Sequence, residues 1–414
     1  MKTILSLVLF LIIGFAGSKG FVRRASSRFR LTGLFVTGME FFVVGILLGP
    51  HILSIITPEV IQDLKPIIYL ALGWIGLLFG MEMSWTHLKR VSGSVYQLLL
   101  SDVCIILAGF SIAGYLILRW MFQSTPGIEV VFATGIFSLT AAVSSPAIVA
   151  IQAKRLPSRG RFTSMVKVAT SLGSVLPLLL FGLLYTIVHP GFLGVEGIWK
   201  GLLWWIFANI AGIVLGFIMV LFTVERCSEN ERTLLIVGAV MLLGGLCYYL
   251  TLSSLYAAMI MGAVICNFSS MRESIFRQLH EVEKTLFVGI LIIVGAMVTF
   301  NGLSIILPLV FYIGLRLLLR LFASSWVVGI THPEFKRMGT RSGLIFTAQG
   351  GMALALAIEY RMGTSGAFAD AVFTVIALAV VLNEVLAFGF ARRSFQASGE
   401  ISPGKSAAGE AGSR

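Results

Sequence analysis

The sequence predicts an all-α polytopic membrane protein of about 13 transmembrane helices, arranged as two inverted six-helix repeats whose fifth and twelfth helices are broken. Three observations predict it. Of 414 residues, 57% are apolar and only 12% charged. Apolar stretches of bilayer length recur along the whole chain, and motifs of the first half return in the second at a nearly constant offset. A mean hydropathy of +0.95 excludes a soluble multidomain enzyme. The 44 glycines suit helices packed backbone to backbone. Cys104, Cys227, Cys247 and Cys266 show no metal-ligand spacing and three lie in apolar runs, so neither a disulfide framework nor a metal site is expected, and no cofactor is called for.

A helix of about 20 apolar residues crosses a bilayer. Such spans, numbered 1 to 13, fall near 3–18, 33–50, 66–83, 95–121, 129–153, 163–188, 198–223, 232–250, 253–267, 285–299, 303–330, 341–361 and 366–391. Spans 9 and 10 are short, as thin or protein-buried spans can be. The brief connections leave no room for a soluble domain. Residues 392–414, rich in Gly, Ser and Ala, read as a short disordered cytoplasmic tail. Lys2, the apolar run and Ala16-Gly17-Ser18 resemble a signal peptide. Cleavage would leave the basic residues of 19–30 outside and break the loop pattern, so span 1 is read as retained.

Basic residues set the orientation. Loops after odd-numbered spans and the tail hold 23 Lys and Arg, including Arg23, Arg24, Lys89, Arg90, Lys154, Arg155, Arg272, Arg277, Lys284, Lys336 and Arg337. The opposite side has only Lys2, Lys65, Arg119, Lys200 and Arg361. This places the N-terminus outside and the C-terminus in the cytoplasm. The net charge of +12 is thereby explained by topology, and nucleic acid is excluded as a partner.

Thirteen spans divide into a membrane domain of residues 1–391: repeat 1 over about 1–188, a linker helix at 198–223 and repeat 2 over about 232–391. Gly45 near the end of span 2 matches Gly262 in span 9, an offset of 217, and Gly80 in span 3 matches Gly295 in span 10, an offset of 215. The division pairs spans 5 and 12, the two most interrupted. Span 5 contains Thr140-Ala141-Ala142-Val143-Ser144-Ser145-Pro146, where proline removes an amide donor. Span 12 contains Thr347-Ala348-Gln349-Gly350-Gly351, whose glycines permit unwinding. Broken backbone at membrane depth survives only inside protein or beside a cavity, and matched breaks in two halves point to a transport site.

These residues also carry a family resemblance. Gly45-Ile46-Leu47-Leu48-Gly49-Pro50, Leu77-Leu78-Phe79-Gly80-Met81-Glu82-Met83, Ser144-Ser145-Pro146-Ala147-Ile148-Val149 and Gln349-Gly350-Gly351-Met352-Ala353-Leu354-Ala355-Leu356-Ala357 resemble, in order, segments of the monovalent cation/proton antiporter superfamily. The resemblance implies a sodium/proton antiporter-like fold, with spans 4–6 and 11–13 as a core moving against a scaffold of spans 1–3 and 8–10, as a homodimer. One departure stands out. The family's sixth helix presents Asn-Asp or Asp-Asp at the crossing; here Gly173 and Ser174 align there, and neither titrates in the physiological range.

Intramembrane charges are the remaining candidates. Arg316 falls near mid-membrane in span 11 and matches the basic residue the family places there. It could be a site cation, pair a carboxylate or cap broken-helix carbonyls. Arg320, one turn on, is expected to snorkel inward. Asp102 in span 4 and Glu384 in span 13 could neutralise Arg316 or carry a proton, and Glu82, at the inner end of span 3, ranks behind them. Glu40 and Lys167 read as structural and snorkelling. Thr140, Ser144, Ser145, Ser171, Ser174, Thr347 and Gln349 could supply neutral ligands around the cross, although most such hydroxyls bond their own helix. The five histidines (51, 87, 189, 280 and 332) are expected in loops or at helix ends, without relay or metal spacing.

The expected function is secondary active exchange of a monovalent cation (Na+ or K+) for protons through a non-standard site in the cell (inner) membrane, not enzymatic catalysis. Its partners are the transported ions, lipid and a second copy. The alternatives are an anion or organic-anion transporter on the same fold, since Arg316 without the usual acid leaves a net positive site, and a transport-inactive sensor or scaffold.

Overall fold

The structure is a computed structural model that describes residues 38–156, 158–187, 198–223, 228–300 and 302–401. Span 1, the signal-peptide resemblance, the basic segment at 19–30, His189 and Cys227 lie outside them.

Spans 2 to 13 each have a helical counterpart. They are α1 (Glu40–Leu48), α2 (Pro58–Glu82), α3 (Gly93–Met121), α4 (Gly127–Ala142) followed by α5 (Pro146–Arg155), and α6 (Arg161–Leu172) followed by α7 (Val175–Ile187). After the linker helix α8 (Ile198–Phe222) come α9 (Glu229–Leu250), α10 (Ser254–Phe268), α11 (Arg272–Ala296), α12 (Leu303–Leu319) and α13 (Ser325–Thr331). Two 3-10 segments, Pro333–Arg341 and Leu344–Thr347, lead to α14 (Gly350–Gly363) and α15 (Ala367–Ser398). Among the described residues eight helices are long and apolar enough to span a bilayer, and the pair bent by 58° at Pro333–Arg341 and Leu344–Gly363 adds a broken ninth. Short α10 is buried by protein over most of its length, its last two residues excepted, which is why 15 residues suffice.

Local chemistry sets several boundaries beyond the sequence reading. Pro58 opens α2 at a position where its missing amide costs nothing. Ser228 and Glu231 close a capping box, so α9 starts earlier than the apolar run. Residues 272–284, expected as a basic loop, are instead the first turns of α11, because Ile275 and Leu279 bury one face of a segment otherwise made of good helix formers. His280 is therefore mid-helix, not at an end. The expected tail also begins too early: α15 continues to Ser398, and Glu400 folds back so that its carboxylate accepts hydrogen bonds from Phe162 N (2.7 Å), Thr163 N (3.0 Å) and Thr163 Oγ1 (2.8 Å).

The inverted repeat is written in two glycine contacts. A Cβ on Gly45 would fall on Ile292 O and 2.9 Å from the Cα of Gly295, and one on Gly295 would fall on Phe42 O and 2.9 Å from the Cα of Gly45. A Cβ on Gly80 would fall on Met259 O and 2.8 Å from the Cα of Gly262, and the reverse contact is equally close. Exchanging 45 with 262 and 80 with 295, the sequence-matched pairs, turns the first contact into the second. The two halves thus pack α1 on α11 and α2 on α10 backbone to backbone in the same way, for which only glycine leaves room. A separate hydrophobic cluster, including Val95, Val149, Phe162, Val166, Val328, Phe346 and Phe395, draws on the helices of spans 4–6 and 11–13 and on Met338 between spans 11 and 12.

Candidate functional site

The breaks occur where expected and meet. Pro146 cannot donate to the preceding turn, so α4 ends at Ala142 and Val143 turns extended (φ −55°, ψ 137°). Ala348 is extended too (φ −62°, ψ 130°), and Ser145 N donates to Ala348 O at 2.9 Å, which ties one break to the other. The half of span 12 before its break is 3-10 instead of α. Gly350 opens α14 at φ +65°, and a side chain there would strike Ser145 Oγ, so this position requires glycine twice over.

Unwinding leaves carbonyls without partners inside the protein. Arg316 satisfies them. Its Nε donates to Ala141 O (3.0 Å), one terminal nitrogen to Thr347 O, and the other to Val143 O (3.0 Å) and Phe346 O (3.4 Å). The guanidinium is completely buried and pins the ends of both broken helices. Of the roles open to Arg316, carbonyl capping is the one the geometry shows. Neither Asp102 nor Glu384 pairs with it.

Arg320 does not snorkel. It is also fully buried, donating to Asp102 Oδ2, to Ala142 O (3.0 Å) and to Ala141 O (3.4 Å). A π-helical turn at Arg320–Ser324 joins α12 to α13, and Arg320 at its start and Ser324 at its end, four residues apart on one face, reach the same carboxylate. Asp102 is thereby the partner of Arg320 and Ser324.

A neutral network fills the cross. Gln349 Nε2 donates to Thr140 O (2.8 Å) and the Tyr312 hydroxyl (2.9 Å), while Gln349 Oε1 accepts from Asn383 Nδ2 (2.7 Å). Thr140, Ser171 and Thr347 bond carbonyls of their own segments at Ile136, Val168 and Leu344. Thr140 also meets the Tyr312 hydroxyl at 3.0 Å. Ser145 caps α5 through Ala147 N (3.4 Å).

Span 6, expected as one helix, is interrupted at Gly173–Ser174, where Pro177 deprives the Gly173 carbonyl of its helical donor. A Cβ at Gly173 would fall on Ser144 Oγ, and Ser174 Oγ donates to Ser144 O at 3.1 Å. Three interruptions therefore converge, not two.

A cavity of about 310 Å³ reaches this convergence. Ser145, Ser174, Gln349 and Glu384 line its inner end, and Glu82, His280 and Glu283 its outer part toward the end of the molecule bearing the basic loops. His280 Nδ1 lies 2.5 Å from Glu283. Glu82 also lines a wider vestibule of about 960 Å³ with Ser171, Arg90, Arg161 and His332. Ser171 thus belongs to the vestibule, away from the cross. Glu384 is buried, and its carboxylate accepts a hydrogen bond from Gly350 N at the start of α14.

At the opposite end hydrogen bonds join neighbouring helices. Glu359 of α14 is fully buried and accepts from Ser253 Oγ (2.9 Å) and Leu255 N (3.1 Å) at the start of α10. Thr299 N and Oγ1 reach Thr374 Oγ1 at 3.1 and 3.2 Å. Sequence reasoning missed Glu359, Tyr312 and Asn383. Glu359 sits inside the same apolar run as the breaks, and the cost of an intramembrane carboxylate was signal enough to single it out.

Comparison with known proteins agrees with this architecture. The family model described as sodium/hydrogen exchanger, transmembrane, matches residues 21–391. No curated protein matches the sequence. Among solved structures the fold is similar to that of the sodium proton antiporter MjNhaP1 from Methanocaldococcus jannaschii at pH 8, with a TM-score of 0.66 and 18% identity over 96% of this chain and 99% of that one. An electron-microscopy structure of MjNhaP1 gives a TM-score of 0.60 and 17% identity over 97% and 98%. With its crossed broken helices and reciprocal glycine contacts, the chain belongs to the sodium/hydrogen exchanger transmembrane family.

Proposed function

We propose that this protein is a secondary active antiporter that exchanges a monovalent cation, Na+ or K+, for protons by alternating access. One observation carries the reading: a cavity that runs from the basic end to the meeting point of three interrupted helices and ends on neutral oxygens and a carboxylate. Oxygen ligands suit a hard monovalent cation, and family membership supports the same cargo. A cavity reaching the basic end, with α14 joined to α10 at the other, fits one of the two states that alternating access requires. Spans 4–6 and 11–13 form the moving core in this reading, and Ser145, Ser174 and Gln349 line the ion's resting place. Thr140, Ser144, Thr347 and Arg316 hold the breaks behind it. Glu82 and Ser171 lie on the route in.

Anion transport is the weaker reading for a specific reason. Every nitrogen of Arg316 is spent on a carbonyl, and among the described residues no lysine or arginine lines the cavity to receive an anion. The basic loops orient the N-terminus outward and the C-terminus to the cytoplasm of the cell membrane, and the working unit is a homodimer.

Proteoliposomes loaded with a pH dye test the function. Addition of Na+ or K+ should alkalinise or acidify the lumen according to the direction of the cation gradient. Uptake of chloride or a carboxylate with no cation-driven pH change would replace this reading with the anion one, and silence in both assays would leave a non-transporting scaffold.

A further inference from the structure

Exchange of a cation for a proton requires a group in the pathway that binds either. Ser174, at the span 6 interruption, cannot do so. We infer that Glu384 of span 13 is that group: ionised, it holds one monovalent cation in the cavity, and protonated, it carries one proton across. The assignment rests on the antiport reading above and adds to it the residue and the stoichiometry.

Four observations bear on it. First, Glu384 lines the inner end of the cavity beside Ser145, Ser174 and Gln349, so its carboxylate is at the point where the broken helices meet. Second, the other buried carboxylates are committed elsewhere. Asp102 is held by Arg320 and Ser324, and Glu359 by Ser253 and Leu255 at the opposite end. Glu384 accepts from a backbone amide, and among the described residues it forms no ion pair. Third, the neighbouring Asn383 is fully buried, and after its amide donates to Gln349 its Oδ1 has no hydrogen-bond partner. Asn383 lies behind the lining of the cavity, and its amide holds Gln349, which does line it, so a polar support for the site stands directly beside Glu384.

Fourth, the inverted repeat relates the two positions. Glu384 follows Ser174 by 210 residues, between the 204 that separate Ser145 from Gln349 and the 215 and 217 of the glycine pairs. Span 13 is the counterpart of span 6, so Glu384 and Ser174 belong to repeat-related helices, and both line the one cavity. A carboxylate on either helix could therefore reach the same cavity. In the exchange step the protonated acid takes up M+ and releases H+, giving carboxylate with bound M+. The proton leaves through the cavity toward the basic end, and charge is conserved at the site.

The test uses the full-length protein in weakly buffered detergent, with NaCl or KCl as the added probe and choline chloride as control. Wild type should release about one proton per chain on cation addition, because a cation ligand must be deprotonated to bind. Glu384→Gln should release none and lose exchange in proteoliposomes, while Glu384→Asp, read also should the Gln variant fail to fold, should keep proton release at a shifted cation concentration. The double variant Glu384→Gln/Ser174→Asp tests the symmetry, and return of proton release supports it. Unchanged release and exchange in folded Glu384→Gln would overturn this assignment while leaving antiport standing. Wild type that neither releases protons nor exchanges would overturn both. Continued silence of the folded double variant would overturn the repeat-related placement.

Discussion

The pairing of Arg320 with Asp102, where the sequence offered Arg316, is the sharpest point at which stability can be measured. Asp102→Asn removes the charge that Arg320 faces while leaving the guanidinium completely buried. Arg320 keeps Ala142 O and Ala141 O, but one terminal nitrogen and the Ser324 hydroxyl lose their anionic acceptor. Removing one partner of a buried pair costs about 3–5 kcal/mol, because the survivor stays desolvated and unpaired. Arg320→Gln should cost a similar amount for the reciprocal reason. The double variant leaves two neutral amides, so its loss should fall short of the sum by about 2–3 kcal/mol. Arg316→Gln with Asp102→Asn should couple more weakly, since Arg316 bonds carbonyls and not that carboxylate. The assay is reversible unfolding of the purified protein in mixed micelles, one double-mutant cycle for each arginine. Additive losses in the Arg320 cycle, or stronger coupling in the Arg316 cycle, would refute the arrangement of these side chains.

Three further outcomes follow from other contacts. Gly80→Ala and Gly295→Ala should each destabilise the protein by about 1–3 kcal/mol, and by similar amounts, because each new methyl meets the backbone of a repeat-related helix pair; unfolding in the same micelles compares them, and a neutral result at either position would contradict the packing symmetry. Glu359→Ala should unfasten the end remote from the basic loops and expose Cys247, which is buried with its Sγ 3.8 Å from Ser253 O. In a background that keeps Cys247 alone, impermeant maleimide should label it about tenfold faster, as a shift of about 1.4 kcal/mol toward the open state gives; equal acceleration at buried Cys266 in a sister background would instead mean general unfolding. Glu400→Gln weakens three hydrogen bonds to the start of α6, two of them from backbone amides, and should cost about 1 kcal/mol in stability while leaving cation-induced proton release intact.

Composition and periodicity determined that this chain crosses a membrane many times, where most spans lie and where two of them break, because each of these depends on residues close together in sequence. A bilayer demands apolar length, and proline and glycine break helices wherever they stand. The repeat was legible as well, since an offset between glycines is a property of the string, and the meeting of Gly45 with Gly295 and of Gly80 with Gly262 is its physical consequence. Partnership was not legible. Arg316 and Arg320 lie one turn apart with the same chemistry, yet one caps carbonyls alone and the other also holds Asp102, because only Arg320 comes within reach of that carboxylate when α3 packs on α12. The joining of α14 to α10 by Glu359 and the cavity that joins Ser174 of one repeat to Glu384 of the other were likewise settled only in three dimensions. A charge inside a membrane takes whatever partner geometry brings within hydrogen-bond reach, and side chains hundreds of residues apart acquire that geometry only when the helices pack.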